Sequence, residues 1–212
     1  MLVSLELRWY RDDDSSLFFW TFLLVKIMKL ENETIIIRNF TYEDLDDLHE
    51  MCHDERTAYL AGWRPHKDIY ITSNVLTRFI YANETYAIIY KENNKMIGTI
   101  SLYSEHFRKV EGVRELGYCL NKDYRGKNIM TMAVKMILEF GFNKLKADMI
   151  FSCCQTTNFA SRKVLEKNHL KYEGLIRNYR TLYNKDVVDV FMYSLAKKEF
   201  EVLENERIET KI

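Results

Sequence analysis

The apolar positions between Arg114 and Gly141 change from a two-residue period to a helical one, which predicts a strand followed by a helix. From Arg114 to Leu120 the residues alternate, so that Leu116, Tyr118 and Leu120 share one face of the strand. The helical apolar positions that follow are Ile129, Met130, Ala133, Met136, Ile137 and Phe140. Gly141 comes next and is the expected stop, because glycine commonly ends a helix.

Other patterns predict an α/β domain built on both sides of this unit. Alternating, β-branched or buried apolar residues predict strands over 34–38, 85–90, 96–103, 147–154, 176–183 and 186–195. Helical spacing predicts helices that begin at Thr41, Ile69 and Asn158, and 59–64 is expected to be a loop between the first two. The charged segment 196–206 is expected to form a solvated helix.

The turn between the central strand and its helix carries Arg125-Gly126-Lys127-Asn128. Amides in the first turn of a helix have no acceptor within the helix, and the helix dipole favours negative charge there. Two cations and a glycine at this position therefore predict an anion site, with a phosphorylated cofactor as its ligand. The alternative is an ordinary strand–helix turn with surface charges.

Composition narrows the class of protein. The 212 residues suffice for one domain with a proper core, and the formal net charge of zero gives no electrostatic footprint for nucleic acid. The four cysteines, Cys52, Cys119, Cys153 and Cys154, lack regular spacing, which favours a reducing cytoplasm over a disulfide framework.

The first 27 residues differ from the rest. The apolar run 17–25 is too short to span a bilayer, and it follows three aspartates instead of the basic start of a signal peptide. A membrane or export role is the alternative to an extension outside the domain. We predict an extension over 1–27, the domain over 28–198 and a charged tail over 199–212, with no membrane association.

One short motif points to different chemistry. His49-Glu50-Met51-Cys52-His53 matches the HExxH pattern of zinc proteases, whose spacing puts both imidazoles on one face of a helix. A zinc site needs a third ligand, and no other histidine has a recognisable context. The sequence favours a solvated or partly packed helix, and we expect no metal.

Two segments together resemble the GNAT superfamily of N-acetyltransferases. Residues 125–130 are similar to its cofactor motif Gln/Arg-x-x-Gly-x-Gly/Ala, with Asn128 and Met130 at positions that are usually small. Residues 158–170 resemble its Asn-x-x-Ser signature. Residues 170–174, which end in Glu173-Gly174, resemble a strand of the RimJ/RimL branch, so the resemblance implies a strand there. The resemblance covers about 28–198. It implies a single GNAT-type domain with a mixed, mostly antiparallel sheet that is splayed at the cofactor site and flanked by helices.

The resemblance also implies which residues bind acetyl-CoA. A backbone amide of the 117–120 strand polarises the thioester carbonyl, and the pantetheine arm enters the splay beside it. The first helical turn holds the pyrophosphate. The implied cofactor residues are Tyr118, Leu120, Arg125, Gly126, Lys127, Asn128, Ile129, Met130, Thr131 and Asn158.

Two residues are candidates for catalysis. Glu115 precedes the cofactor loop and is the candidate base, acting through water, although it is equally readable as a surface carboxylate. Many superfamily members have a tyrosine acid where this chain has Leu165. Ser161 is therefore the candidate acid, either protonating the thiolate or donating a hydrogen bond to it.

The expected activity is transfer of an acetyl group to a primary amine, either a protein N-terminus or a small molecule. Tyr59 and Trp63 either shape the choice of acceptor or simply pack. A non-catalytic acyl-CoA-binding module is the alternative, because Asn128 and Met130 depart from the motif. We expect a cytoplasmic monomer or homodimer.

Overall fold

One eight-stranded sheet runs through the protein, in the order β1-β2-β3-β4-β5-β6-β8-β7. The computed structural model describes residues 28–104 and 107–209, so the predicted extension over 1–27 lies outside the described residues. The strands are β1 Lys29–Glu31, β2 Ile35–Asn39, β3 Thr85–Tyr90, β4 Lys95–Ser104, β5 Val113–Leu120, β6 Met149–Gln155, β7 Lys171–Thr181 and β8 Val187–Ala196. Only β5 and β6 pair in parallel within this described sheet.

Helices cover both faces of the sheet. They are α1 Leu45–His53, α2 Glu55–Ala61, α3 Ile69–Ala82, α4 Ile129–Asn143, α5 Phe159–Lys167 and α6 Lys197–Glu209. Successive side chains of a strand point to opposite faces, so Ile88 of β3 packs in the cluster that contains α4. Its neighbours Ala87 and Ile89 pack in the cluster that contains α1 and α3. The predicted single α/β domain with a mixed, mostly antiparallel sheet is confirmed.

The sheet opens between β5 and β6. The two strands pair only from Val113 opposite Met149 to Glu115 opposite Phe151. One residue further, the Ser152 hydroxyl donates to the Leu116 carbonyl at 2.8 Å, where a backbone pair would otherwise continue. Residues 117–120 therefore have no partner in β6, which is the predicted splay.

Three local predictions are wrong. The segment 59–64 is not all loop, because α2 occupies Glu55–Ala61 between the Asp54 N-cap and Gly62, which has a φ of 87°. The two strands predicted over 170–183 form one strand, β7, with irregular pairing at two points. The helix α4 continues through Gly141 to Asn143. Glycine at 141 allows a close approach of the helix to the sheet, because a Cβ there would lie 2.6 Å from Ile150 Cδ1.

The final helix is attached to the domain. Phe200 in α6 is buried and stacks on Phe142 of α4, with ring centroids 4.6 Å apart. The predicted boundary at 198 falls inside this helix, and the described residues after Phe200 are a mixture of exposed and half-buried positions. Within the described ranges, none of the helices is long and apolar enough to cross a membrane.

Candidate active site

Two adjoining cavities lie where the sheet opens. One, of about 460 Å³, lies between β5, the start of α4 and α5. The other, of about 330 Å³, extends between β4, β5 and β6. The residues that line both are Leu60, Ala61, Tyr118, Cys119, Asn158 and Ser161. We call them the α4 cavity and the β4 cavity. Their shared wall is the place where two bound molecules would meet.

The start of α4 forms one wall of the α4 cavity. Gly126 and Asn128 both have left-handed backbones, with φ of 77° and 56°. The Asn128 side chain does not cap the helix, and its Oδ1 accepts from Lys167 Nζ at 2.9 Å instead. The first-turn amides at 129–131 therefore keep no intrahelical acceptor, and these residues line the cavity. Successive free amides at a helix start favour a phosphate.

The two cations of the turn, Arg125 and Lys127, are placed differently relative to this wall. Arg125 lines the α4 cavity, but its guanidinium points into the protein, donating to Thr57 Oγ1 at 2.7 Å and to the Leu120 carbonyl. Lys127 lies with Nζ 5.3 Å from the centre of the Tyr124 ring and is not among the lining residues.

Sequence reasoning missed Lys163 and Lys167, which line the α4 cavity from α5. Their spacing of four residues places both ammonium groups on one helical face. The four-residue spacing could have indicated that the two lysines lie together. It does not show whether their face of the helix points toward the cavity.

The shared wall carries a pair of hydroxyls. Tyr118 Oη lies 2.8 Å from Ser161 Oγ and donates to the Ser161 carbonyl at 3.1 Å. Asn158 caps α5 by accepting from the Ser161 amide at 3.1 Å, which fixes the serine at the cavity. Burial raises the pKa of Tyr118 well above its usual range, so the phenol keeps its proton. The pair can thus donate hydrogen bonds across the physiological pH range.

The β4 cavity holds Glu115, which occupies the last paired position of β5 before the sheet opens. Cys153 and Cys154 also line this cavity. Burial raises the pKa of both thiols, to about 11 for Cys154. Thiolates are the nucleophilic form of cysteine, so neither sulfur is activated at neutral pH. Glu115 is the carboxylate that lines this cavity.

The HExxH segment is used for packing. His49 Nδ1 lies 2.8 Å from Thr72 Oγ1 and His53 Nδ1 lies 2.9 Å from the His66 carbonyl, while Glu50 is paired with Lys95. No set of three metal-ligating side chains occurs in the part of the chain that the structure describes.

Comparisons with known proteins agree with this geometry. Residues 34–171 match the family model described as the acetyltransferase (GNAT) domain. An uncharacterized N-acetyltransferase, p20 of Bacillus licheniformis, is 27% identical over 177 residues, covering 81% of this chain and 97% of the relative.

Solved structures share the fold. A GNAT-family acetyltransferase from Bacillus anthracis superposes with a TM-score of 0.74 at 24% identity, covering 81% of this chain and all of that one. The ribosomal-protein-S5-alanine acetyltransferase from Vibrio fischeri gives 0.67 at 23% identity, covering 80% of this chain and 97% of that one.

Proposed function

Because this chain belongs to the GNAT family of N-acetyltransferases, we propose that it transfers the acetyl group of acetyl-CoA directly to a primary amine. One observation carries the proposal. The sheet opens beside a helix start that is built for phosphate, and a second cavity with a carboxylate adjoins the opening. The first cavity would hold the cofactor and the second the amine.

The polarising group would be the Tyr118 amide. Main-chain groups of successive residues in a strand face opposite neighbours, so those of every second residue face the same side. The Leu116 carbonyl accepts from Ser152, and the Leu120 carbonyl accepts from Arg125, so both face the open side. Tyr118 lies between them in the alternation, and its N–H faces the same opening. This donor would bind the thioester oxygen as negative charge develops there.

The cofactor would lie along the α4 cavity. Its pyrophosphate would occupy the first-turn amides beside Gly126, where a Cβ would meet nothing within 4 Å. Lys163 and Lys167 would add positive charge from the facing helix. The two larger residues of the loop do not argue for a non-catalytic module, since Asn128 adopts the left-handed backbone and Met130 is buried in the core.

The remaining steps are proton movements. An ammonium group has no lone pair, so Glu115 would take its proton, through water, before attack on the carbonyl. The departing thiolate would receive a hydrogen bond at the shared wall from Ser161, or from Tyr118 if its single O–H turns away from the Ser161 carbonyl. The raised pKa of Tyr118 makes this phenol a hydrogen-bond donor and a weak proton donor.

Acceptors of the proposed class include a protein N-terminus, because the Vibrio fischeri neighbour acts on ribosomal protein S5. Small-molecule amines are the other class that the sequence leaves open. Cytoplasmic location, a monomeric or homodimeric state, and the absence of nucleic-acid or membrane partners stay predictions from the sequence.

The direct test measures thiol release from acetyl-CoA with a panel of amines and N-terminal peptides. We expect release to rise above the amine-free rate with at least one acceptor, and mass spectrometry should show the acetylated amine. Tight acetyl-CoA binding with no release for any acceptor would instead identify an acyl-CoA-binding module.

The hydroxyl pair gives a separate prediction. Tyr118→Phe and Ser161→Ala should each lower kcat by about tenfold, and the double variant should lose little more, because the two groups share one hydrogen-bonded unit. The Ser161→Ala loss should persist at high pH, where leaving of an unassisted thiolate is still slow.

Tyr124→Phe is the matched control for the pair, because its hydroxyl accepts from Asn93 outside both cavities. Fully additive losses in the double variant, or an equal loss in Tyr124→Phe, would show that the pair does not act together.

A further inference from the structure

Two buried polar atoms of the β4 cavity residues lack hydrogen-bond partners. Within the described ranges, Trp63 Nε1 and Gln155 Oε1 are both buried and make no hydrogen bond. Both residues line the β4 cavity, the one that also holds Glu115. Nearly all buried polar groups in folded proteins are hydrogen-bonded, so each exception calls for a partner that arrives with a ligand or with water.

The orientation of Gln155 is fixed by its own contacts. Its Nε2 donates to the Tyr59 carbonyl at 2.7 Å and to the Leu60 carbonyl at 3.3 Å. Carbonyl oxygens only accept, so the nitrogen must face them and the oxygen must be the unpaired end. Gln155 is 5% exposed and ends β6, where the sheet has already opened. The site thus contains a held, neutral hydrogen-bond acceptor.

Trp63 provides a hydrogen-bond donor, in contrast to the acceptor of Gln155. It follows α2 and the left-handed Gly62, and its backbone amide donates to the Ala58 carbonyl at 3.1 Å. An indole N–H can only donate a hydrogen bond. One cavity therefore brings together an acceptor, a donor and a carboxylate, which are Gln155, Trp63 and Glu115.

We propose that Gln155 and Trp63 select the acceptor. Gln155 Oε1 accepts from an N–H of the attacking amine, and Trp63 Nε1 donates to an oxygen of the same molecule. The acceptor is then a primary amine with a nearby carbonyl oxygen, as in an α-amino amide, and not a plain alkylamine or a polyamine. The inference rests on the proposed function, since it assigns the amine to the β4 cavity.

The neutral amide of Gln155 is compatible with deprotonation of the amine, the step that precedes attack on the carbonyl. A second carboxylate at this place would favour the ammonium form and would raise the pKa of the bound amine. An amide oxygen accepts the N–H without adding a charge, so that Glu115 alone draws off the proton. Gln155 therefore binds the amine without opposing its deprotonation.

Glycinamide and isobutylamine test this assignment, because they have the same shape and differ in the amide group. The ratio of variant to wild-type kcat/KM is compared for each amine separately, so that the different pKa values of the amines cancel. Trp63→Phe should lower kcat/KM for glycinamide by about tenfold and for isobutylamine by less than about twofold. Gln155→Met should lower both by about tenfold, because the amine is common to them.

Acetyl-CoA affinity should stay at the wild-type value in both variants, which separates acceptor binding from misfolding. The thermal midpoint should stay unchanged in Trp63→Phe and should fall in Gln155→Met, because that change also removes the hydrogen bonds from Gln155 Nε2 to the Tyr59 and Leu60 carbonyls. Equal losses for the two amines in Trp63→Phe, or no loss in either, would overturn the donor role of Trp63. Glycylglycinamide extends the comparison, and a KM below that of glycinamide would identify a peptide N-terminus as the source of the α-amino amide.

A binding readout keeps this inference apart from the proposed function. The indole ¹H–¹⁵N signal that disappears in Trp63→Phe identifies Trp63. In wild-type protein with CoA bound, glycinamide should shift that signal and isobutylamine should not. A shift without any turnover would support the acceptor site and contradict the transferase proposal. Turnover of glycinamide without a shift would overturn the Trp63 assignment alone.

Discussion

Glu115→Gln is expected to lower the rate of acetyl transfer by roughly a hundredfold or more, within the usual range for loss of a general base. The residue lines the β4 cavity at the point where β5 leaves β6, so its carboxylate would face the amine and not the cofactor. Acetyl-CoA affinity, measured by calorimetry, should therefore change little. The defect should also shrink as the pH rises toward the pKa of the amine, because more of the amine then arrives without its proton.

Two neighbouring carboxylates provide controls for this prediction. Glu111 is exposed in the turn before β5. Glu173 lies on β7 and forms an ion pair with Arg108. Neither lines the β4 cavity. A larger loss in Glu111→Gln or Glu173→Gln than in Glu115→Gln would show that the base is wrongly assigned. No loss in any of the three would mean that the amine arrives neutral and that the protein acts by positioning.

Gly126→Val should raise the dissociation constant of acetyl-CoA by at least about tenfold, because the left-handed backbone costs a non-glycine residue roughly 1–2 kcal/mol. A valine would pull the loop out of the conformation in which the first-turn amides converge. By contrast, Lys127→Ala removes only an exposed charge near a helix start and should cost less than about fivefold. Calorimetric titration with acetyl-CoA measures both.

Two further glycine variants distinguish the effect of backbone strain at residue 126 from the steric effect of a new side chain in the cavity. Gly174→Val is the matched control, because a Cβ there also meets nothing within 4 Å and the φ is not positive. It should leave the affinity unchanged. Asparagine tolerates a left-handed backbone, so Gly126→Asn keeps the loop but places a side chain in the open space. A large loss in Gly126→Asn would mean that the phosphate needs the space itself. Wild-type affinity for acetyl-CoA in Gly126→Val would contradict the assignment of the cofactor to the start of α4.

The predictable part of the site is the part that is local in sequence. The unit from β5 to α4 is set by residues a few positions apart, and both its alternation and its loop could be read directly. Even in this unit, the sequence does not predict the direction of the Arg125 side chain. Arg125 was expected to face the phosphate, but its hydrogen bonds to Thr57 and to the Leu120 carbonyl depend on α2 lying against the strand.

What could not be predicted depends on contacts between distant segments. A seven-residue helix has too few turns to show an apolar stripe, so the sequence predicts a loop from residue 59 although α2, bracketed by Asp54 and Gly62, continues to Ala61. Gln155 carries no motif, and its importance appears only when its amide meets the carbonyls of Tyr59 and Leu60. Glycine at 141 was read as a stop because its close approach to Ile150 is a tertiary fact.

The helix α2 touches both halves of the site. Thr57 near its start accepts from Arg125, which lines the α4 cavity, and the Tyr59 and Leu60 carbonyls at its end accept from Gln155, which lines the β4 cavity. If the binding of either substrate displaces α2, the binding free energies of the two substrates are coupled. Such a linkage has equal magnitude in both directions, so the factor by which CoA alters acceptor affinity is also the factor by which the acceptor alters CoA affinity.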